Sequence, residues 1–243
     1  YFISNLSDKT ISKEVWLNAN SGFFTILNPL TESEGFMGSL EQKSGRSLIS
    51  IQIKPGQSLF ITEGTNSINE WTWNNAIEEL EIKGNWKVVF EEGMPVKPKS
   101  YDVKKLSSWT DAPDSNAQYW NGYAKYSIDF EMKEQSEGPA ILDLGDVRET
   151  AEVWLNGVAL GTAWSLPFQI DVPANILKNK NQLELRVRNT SANYMRLMDK
   201  QKVNWKKFYD INFVDITYTP FDASKWEAIP SGLLGPVKLY FNR

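Results

Sequence analysis

The sequence predicts an all-β protein built from two β-sandwich domains, and three observations carry that expectation. Apolar residues recur with period two along many short segments, polar turn signals separate those segments, and helical periodicity is scarce. A length of 243 residues allows one large domain or two ordinary ones, and an apolar share of 41% supplies a core.

Taken in order, segments near 1–6, 11–19, 23–28, 35–42, 47–53 and 58–63 read as strands of a first domain over 1–66. Within it Ile49, Ile51 and Ile53 alternate with Ser50 and Gln52, which makes a strand with one wet face. Lys54-Pro55-Gly56 then turns the chain. The stretch 67–80 is polar, is punctuated by Trp71 and Trp73, and could hold a short helix. It is expected to be a linker over 67–78 whose indoles wedge into a domain interface.

The second domain is expected over 79–243. Tyr126, Ile128 and Phe130 alternate with Ser127 and Asp129, and Leu183, Leu185 and Val187 with Gln182, Glu184 and Arg186. Val237, Leu239 and Phe241 close the chain in the same way. Val153-Trp154-Leu155 runs into Asn156-Gly157, and Val158-Ala159-Leu160 leaves it. That is a hairpin signature, because a type I′ turn needs positive φ at both central residues. Ala174-Asn175-Ile176-Leu177 suits a single helical turn. Two long stretches, 95–118 and 189–235, look irregular. The second carries Asn193, Arg196, Trp205, Tyr209, Tyr218 and Trp226, and 210–218 alternates well enough to be a strand. A loop of that length inside a domain is either functional or contains unrecognised elements.

Composition narrows the chemistry. Ten Trp, nine Tyr and twelve Phe favour strands and also suit surfaces that stack on sugar rings. The net charge is −4, with 26 basic residues interspersed among 30 acids, so nucleic acid is not an expected partner. No apolar run approaches the roughly 18–20 residues of a membrane span. The chain has no Cys and no His. Thiolate chemistry, Ser-His-Asp triads and His-ligated metal centres are therefore excluded in it. It opens on Tyr1-Phe2-Ile3-Ser4-Asn5-Leu6, already strand-like and without an initiator Met, and is expected to be a piece of a longer protein.

One ordered succession of motifs is more specific. Leu142-Asp143-Leu144-Gly145-Asp146-Val147-Arg148 is followed by Ala151-Glu152-Val153-Trp154-Leu155-Asn156-Gly157 and by Leu160-Gly161-Thr162-Ala163-Trp164. Pro167-Phe168-Gln169-Ile170-Asp171-Val172 and Asn181-Gln182-Leu183-Glu184-Leu185-Arg186-Val187-Arg188-Asn189 come next. The run resembles the galactose-binding-like jelly roll of family 2 glycoside hydrolases. It is closer to the C-terminal sandwich of the α-L-rhamnosidase-like proteins of family 106. Pro230-Ser231-Gly232-Leu233-Leu234-Gly235-Pro236-Val237 fits that second group too, as do Tyr1-Phe2-Ile3-Ser4-Asn5, Asn28-Pro29-Leu30-Thr31 and Ile53-Lys54-Pro55-Gly56-Gln57-Ser58. The resemblance implies a galactose-binding-like jelly roll for the second domain. It also implies a catalytic domain elsewhere in the same longer chain, because the catalytic acids of these enzymes sit on a separate barrel.

On the matched strand, Ala151, Val153 and Leu155 share one face and Glu152, Trp154 and Asn156 the other. An indole covers the C–H face of a sugar and an amide serves its hydroxyls. Equally, Trp154 can be covered by a loop and Asn156 can serve only the turn. Trp164 can line a groove or close the sandwich end, and Trp120 can be a platform or a packing residue. Asn193 and Arg196 can meet vicinal hydroxyls or a uronate carboxylate, or simply face solvent. These six are the candidate carbohydrate-binding residues. No catalytic or metal-binding residue is assigned and no cofactor is expected, although jelly rolls of this type leave room for a structural Ca²⁺.

The expected function is a non-catalytic accessory region of a glycoside hydrolase acting on plant or microbial polysaccharide outside the cytoplasm. It would brace the catalytic domain and contact carbohydrate. An independent carbohydrate-binding module is the alternative. A self-contained glycosidase would need two carboxyl groups at suitable separation, for which Glu149 with Glu152 or Asp199 with Asp210 can be nominated.

Overall fold

Period-two alternation becomes strands almost wherever it occurs. The computed structural model describes residues 1–65, 67–73, 78–133, 138–206, 216, 219 and 221–241. The chain divides into two compact units, one of Tyr1–Ile77 with Ser165–Pro167, the other of Glu78–Trp164 and Phe168–Phe241. Among the described residues every pairing between named strands is antiparallel. The all-β sandwich expectation holds.

The first unit holds β1 (Phe2–Ser4), β2 (Ile11–Leu17), β3 (Phe23–Asn28), β4 (Ser33–Gly38), β5 (Glu41–Lys43), β6 (Arg46–Ile53) and β7 (Ser58–Glu63). One sheet has the order β1-β7-β3-β4 and the other β2-β6-β5. The alternating residues meet in a single core of Phe24, Ile26, Ile49, Ile51, Ile53, Leu59 and Ile61, none more than 5% exposed. The expected strand over 35–42 is two strands. Between them the Ser39 N–H donates to Gly22 O and the Leu40 N–H to Leu48 O, so the chain crosses from one sheet to the other there. Trp71 and Trp73, expected between domains, pack edge to face at 5.6 Å on the core of this unit. The Trp71 N–H donates to Phe36 O at 2.6 Å, which leaves no helical bonding at that point. The short helix considered over 67–80 is absent from its described part. Its end, Glu78–Glu81, is a strand.

The second unit holds β8 (Glu78–Glu81), β9 (Trp86–Met94), β10 (Tyr101–Val103), β11 (Asn121–Glu131), β12 (Ala140–Asp143), β13 (Asp146–Arg148), β14 (Thr150–Leu155), β15 (Val158–Ala163), β16 (Gln169–Val172) and β17 (Lys180–Arg188). Helix α1 (Ala192–Lys200) follows, then β18 (Gly232–Gly235) and β19 (Lys238–Phe241). A six-stranded sheet, β10-β9-β11-β17-β14-β15, and a four-stranded one, β16-β12-β19-β8, enclose one core. Tyr126, Ile128, Leu183, Leu185, Val187 and Leu239 are each at most 2% exposed. Each such burial contributes about 1.5–3 kcal/mol, which is why the period-two pattern fixes which face turns inward.

Two separated motifs meet in space. Gly145 bridges Gly235, and β13 pairs with β18 with Val147 opposite Leu233 and Arg148 opposite Gly232. The Asn156-Gly157 hairpin is present, with φ of 53° and 79° and Leu155 opposite Val158.

The two stretches expected to be irregular contain elements. Between 95 and 118 lie β10 and two short 3-10 turns, Trp109–Asp111 and Ser115–Tyr119, capped by Ser108 and Asp114. Within 189–235 lies α1, which opens after Ser191 without a side-chain cap. A Ser stands at the cap position, but the helix that follows is only nine residues long, too short for a clear periodicity. Ala174-Asn175-Ile176-Leu177 forms a turn and not a helical one. The strand expected over 210–218 lies, Ile216 apart, outside the described residues.

Candidate functional site

Three of the six expected sugar-binding residues converge at one end of the second unit, and there they hold the fold together. Trp120 is 1% exposed. Its ring meets Phe90 edge to face at 5.7 Å, and its indole N–H donates to Tyr123 O at 3.2 Å. No face of that indole is open to a sugar ring. Asn193, on α1, is buried. Its Nδ2 donates to Ile229 O at 2.7 Å and to Ser231 Oγ at 3.3 Å, and its Oδ1 accepts from the Ile229 N–H at 2.8 Å. One turn later the Arg196 Nε–H donates to Trp226 O at 2.6 Å, while its Nη1 is buried without a hydrogen-bond partner.

The Trp120 carbonyl and the Asn193 side chain are linked by Asn189 and Ser231, neither of them among the six candidates. The Asn189 Oδ1 accepts from the Gly122 N–H at 3.1 Å, and its Nδ2 donates to Trp120 O at 2.7 Å and to Ser231 Oγ at 3.3 Å. The Ser231 N–H in turn donates to Ser108 Oγ at 3.0 Å. A short polar side chain at a strand end reads as a turn residue in sequence. Only its burial reveals that it carries the hydrogen bonding of two loops.

Asp199 anchors the same layer. Its side chain is 5% exposed and accepts from the Trp205 indole at 2.7 Å, the Ala223 N–H at 2.7 Å and the Lys206 ammonium at 3.1 Å. Burial pushes its carboxyl up, but the Ala223 N–H, the Trp205 indole and Lys206 outweigh that and hold it below the ordinary value. Lys206 also donates to Phe221 O at 2.5 Å. A carboxylate committed in this way is poorly placed to act as an acid or nucleophile. Its nominated partner Asp210 lies outside the described residues.

The other three candidates stand on or after the β14–β15 hairpin. Trp154 is half-buried on the outer face of the six-stranded sheet, opposite Glu184 and Ala159. Asn156 spends its amide on the Ile176 O, Asn181 Oδ1 and the Gln182 N–H, all at 2.8–2.9 Å. Trp164 is 64% exposed and is the one candidate with a largely free ring.

The outer face of that sheet is charged and ordered. The Arg186 guanidinium lies 3.9 Å from the centroid of the Tyr123 ring. It reaches Glu91 at 2.8 Å and Glu152 at 3.6 Å. Lys125 pairs with Glu184 beside it. Glu152 is thus held by Arg186, and Glu149 is exposed just before the strand.

Two clefts of the second unit adjoin the segment 81–83. One, of about 670 Å³, is lined by Asp129, Glu131, Asn156, Lys180 and Gln182. The other, of about 700 Å³, is lined by Lys83, Lys104 and Lys105, with Leu106, Pro236 and Val237 as its apolar part. Lys83 is paired with Glu81 at 2.9 Å. Among the described residues Lys104 and Lys105 make no ion pair. The first cleft offers a mixed hydrogen-bonding surface, the second a cationic one. Among the described residues no group of three potential ligands could hold a metal ion, and no helix is long and apolar enough to cross a membrane.

No protein-family model matches the chain. A protein of Formosa agariphila with the provisional name β-glucuronidase is 29% identical over 228 residues, 82% of this chain and 20% of its own length. A solved rhamnosidase from Novosphingobium sp. PP1Y superposes over 99% of this chain and 22% of its own, with a TM-score of 0.71 and 26% identity. A β-galacturonidase of Eisenbergiella tayi overlaps more loosely, at a TM-score of 0.43 and 17% identity over 67% of this chain and 24% of its own. The chain is thus related to glycoside hydrolases and spans about a fifth of the length of the two relatives it matches best among these.

Proposed function

We propose that the chain is a non-catalytic accessory region of a glycoside hydrolase that acts on plant or microbial polysaccharide outside the cytoplasm. In this reading a small β-sandwich domain over 1–66 and a linker over 67–78 precede a galactose-binding-like jelly roll over 79–243, as in the family 106 α-L-rhamnosidase-like proteins. The region braces a catalytic domain of the same longer polypeptide and lends it a carbohydrate contact.

The observation that carries the proposal is the partial span. Nearly the whole chain aligns with about a fifth of a rhamnosidase. The outer sheet face supports it, because Arg186 stacked on Tyr123 and tied to Glu91 and Glu152 is ordered before any partner arrives. Of the nominated carboxylates, Glu152 is held by Arg186 and Asp199 by Lys206, the Trp205 indole and the Ala223 N–H, which suits bracing better than catalysis. Aryl rhamnosides and aryl glucuronides are expected to survive incubation with the purified chain. Excising this region from the parent polypeptide is expected to lower both its turnover and its melting temperature. Sustained turnover by the chain alone would replace this reading with a self-contained hydrolase.

The exposed ring of Trp164 favours a second reading, an independent carbohydrate-binding module. Calorimetry separates the two. Millimolar or tighter glycan binding that is lost in Trp154→Ala or Trp164→Ala supports the module.

A further inference from the structure

We propose that the lysine-lined cleft of the second unit binds an anionic sugar residue, through a carboxylate or a sulfate ester. That the ligand is a saccharide rests on the glycoside-hydrolase reading above; that it is anionic rests on the cleft itself.

The charge distribution is the first reason. The chain carries a net charge of −4, so a random patch of its surface is slightly acidic. This cleft gathers Lys83, Lys104 and Lys105 against the single carboxylate of Glu81. Glu81 is already committed to Lys83 at 2.9 Å. Lys104 and Lys105 are left with no ion pair among the described residues, adjacent in sequence and lining one concavity. Two unpaired ammonium groups raise the local potential, and a concave low-dielectric wall focuses it on the space between them. An oxyanion entering there relieves the repulsion and receives charge-assisted hydrogen bonds.

The shape is the second reason. About 700 Å³ is the size of a small-molecule site and accommodates two or three pyranose units. The lining is not cationic throughout. Leu106, Leu234, Pro236 and Val237 supply an apolar side, and the C–H face of a pyranose needs such a surface opposite its charged substituent. A bare inorganic anion gains nothing from that half of the cleft. The adjoining cleft sets Glu81, Asp129 and Glu131 against Lys83 and Lys180, so it has no excess of positive charge to offer an anion.

The test is calorimetry on the whole chain. The probes are a galacturonate trisaccharide, a sulfated neutral trisaccharide, the uncharged counterpart of each, and inorganic tripolyphosphate. At least one anionic trisaccharide is expected to bind with millimolar or tighter affinity and about tenfold better than its uncharged counterpart. Which of the two wins identifies carboxylate or sulfate as the group recognised. Lys104→Ala/Lys105→Ala is expected to lower that affinity about tenfold, and Lys104→Arg/Lys105→Arg to retain it. Both pairs of substitutions are at exposed positions, and unchanged thermal melting verifies folding. Three results overturn the proposal: equal binding of charged and uncharged trisaccharides, binding unaffected by the alanine pair, or tripolyphosphate binding as tightly as either sugar. None of these touches the bracing role, which stands or falls on excision from the parent polypeptide.

Discussion

The indole N–H of Trp109 donates to the hydroxyl of Tyr126 at 2.5 Å inside the core of the second unit. The same hydroxyl accepts from the Leu233 N–H at 3.1 Å. One phenol oxygen on the central strand β11 therefore satisfies a donor from the 3-10 turn at 109–111 and another from β18. Phe90 packs on Trp109 at 5.5 Å and on Tyr101 at 6.2 Å, which keeps the cluster dry.

Tyr126→Phe removes that acceptor and strands two buried donors. Each unsatisfied buried donor costs about 1–3 kcal/mol, so a loss of about 2–4 kcal/mol is expected in urea unfolding of the second unit. A loss below about 1 kcal/mol would mean that the two donors find other partners.

Gly232→Ala tests the same cluster from the other side. Its φ is +95°, and an added Cβ would stand 2.5 Å from the Trp109 indole nitrogen and 2.6 Å from the Tyr126 hydroxyl. Gly64 has φ +85° but nothing within 4 Å, so it isolates backbone strain. Gly64→Ala is expected to cost about 1 kcal/mol and Gly232→Ala more than about 3 kcal/mol, both by chemical denaturation. Equal costs would show that the cluster yields to the new methyl.

Alkali should destabilise this unit through its tyrosines. Burial pushes Tyr101 from an ordinary 10.0 up to about 12. Burial pushes Tyr126 higher still, with the neighbouring Tyr101 adding to it. A raised folded value means that the unfolded chain loses its proton first. The stability is complete below pH 10 and is lost as pH climbs toward the folded values. Phenolate absorbance from Tyr126 should appear only together with loss of near-ultraviolet circular dichroism. Titration of Tyr126 in a still-folded chain would contradict its burial.

Acid should act on the loop layer instead. The Asp199 carboxyl is held below its ordinary 3.8, so its contribution is present above that value and is lost as pH falls through the folded one. Hydrogen exchange at Ala223 should accelerate in that acid range. In Asp199→Asn it should already be fast at neutral pH and show no further acid step. Asn193→Ala should release Ile229 at all pH values, because both polar groups of that peptide lose their partner.

Strand positions were legible because burial on one face imposes period two directly on the sequence. Ile49, Ile51 and Ile53, and likewise Leu183, Leu185 and Val187, enter the two cores as their spacing requires. The Asn156-Gly157 turn was legible for a local reason, the positive φ that few residues tolerate. Helix α1 was not, because it is only nine residues long and is anchored by the long-range bonds of Asn193.

The candidate sugar contacts were legible only as residue types. Trp120 and Trp164 are the same amino acid, yet one is 1% and the other 64% exposed. Nothing in their neighbouring residues announces that difference. Asn156 likewise shows its commitment to Ile176, Asn181 and Gln182 only when the turn over 174–181 comes to rest beside it.

By itself, then, the sequence determined the all-β class, the inward face of each recognised strand and the absence of His and Cys chemistry. These follow from short-range rules of spacing and residue type. The tertiary structure alone decided that Asn189, Asn193 and Ser231 form one buried network. It alone gathered Lys83, Lys104 and Lys105 around a cleft with Val237. Ser231 lies far along the chain from Asn189 and Asn193, and Val237 from the three lysines, and only the packing of two sheets into one core brings them together.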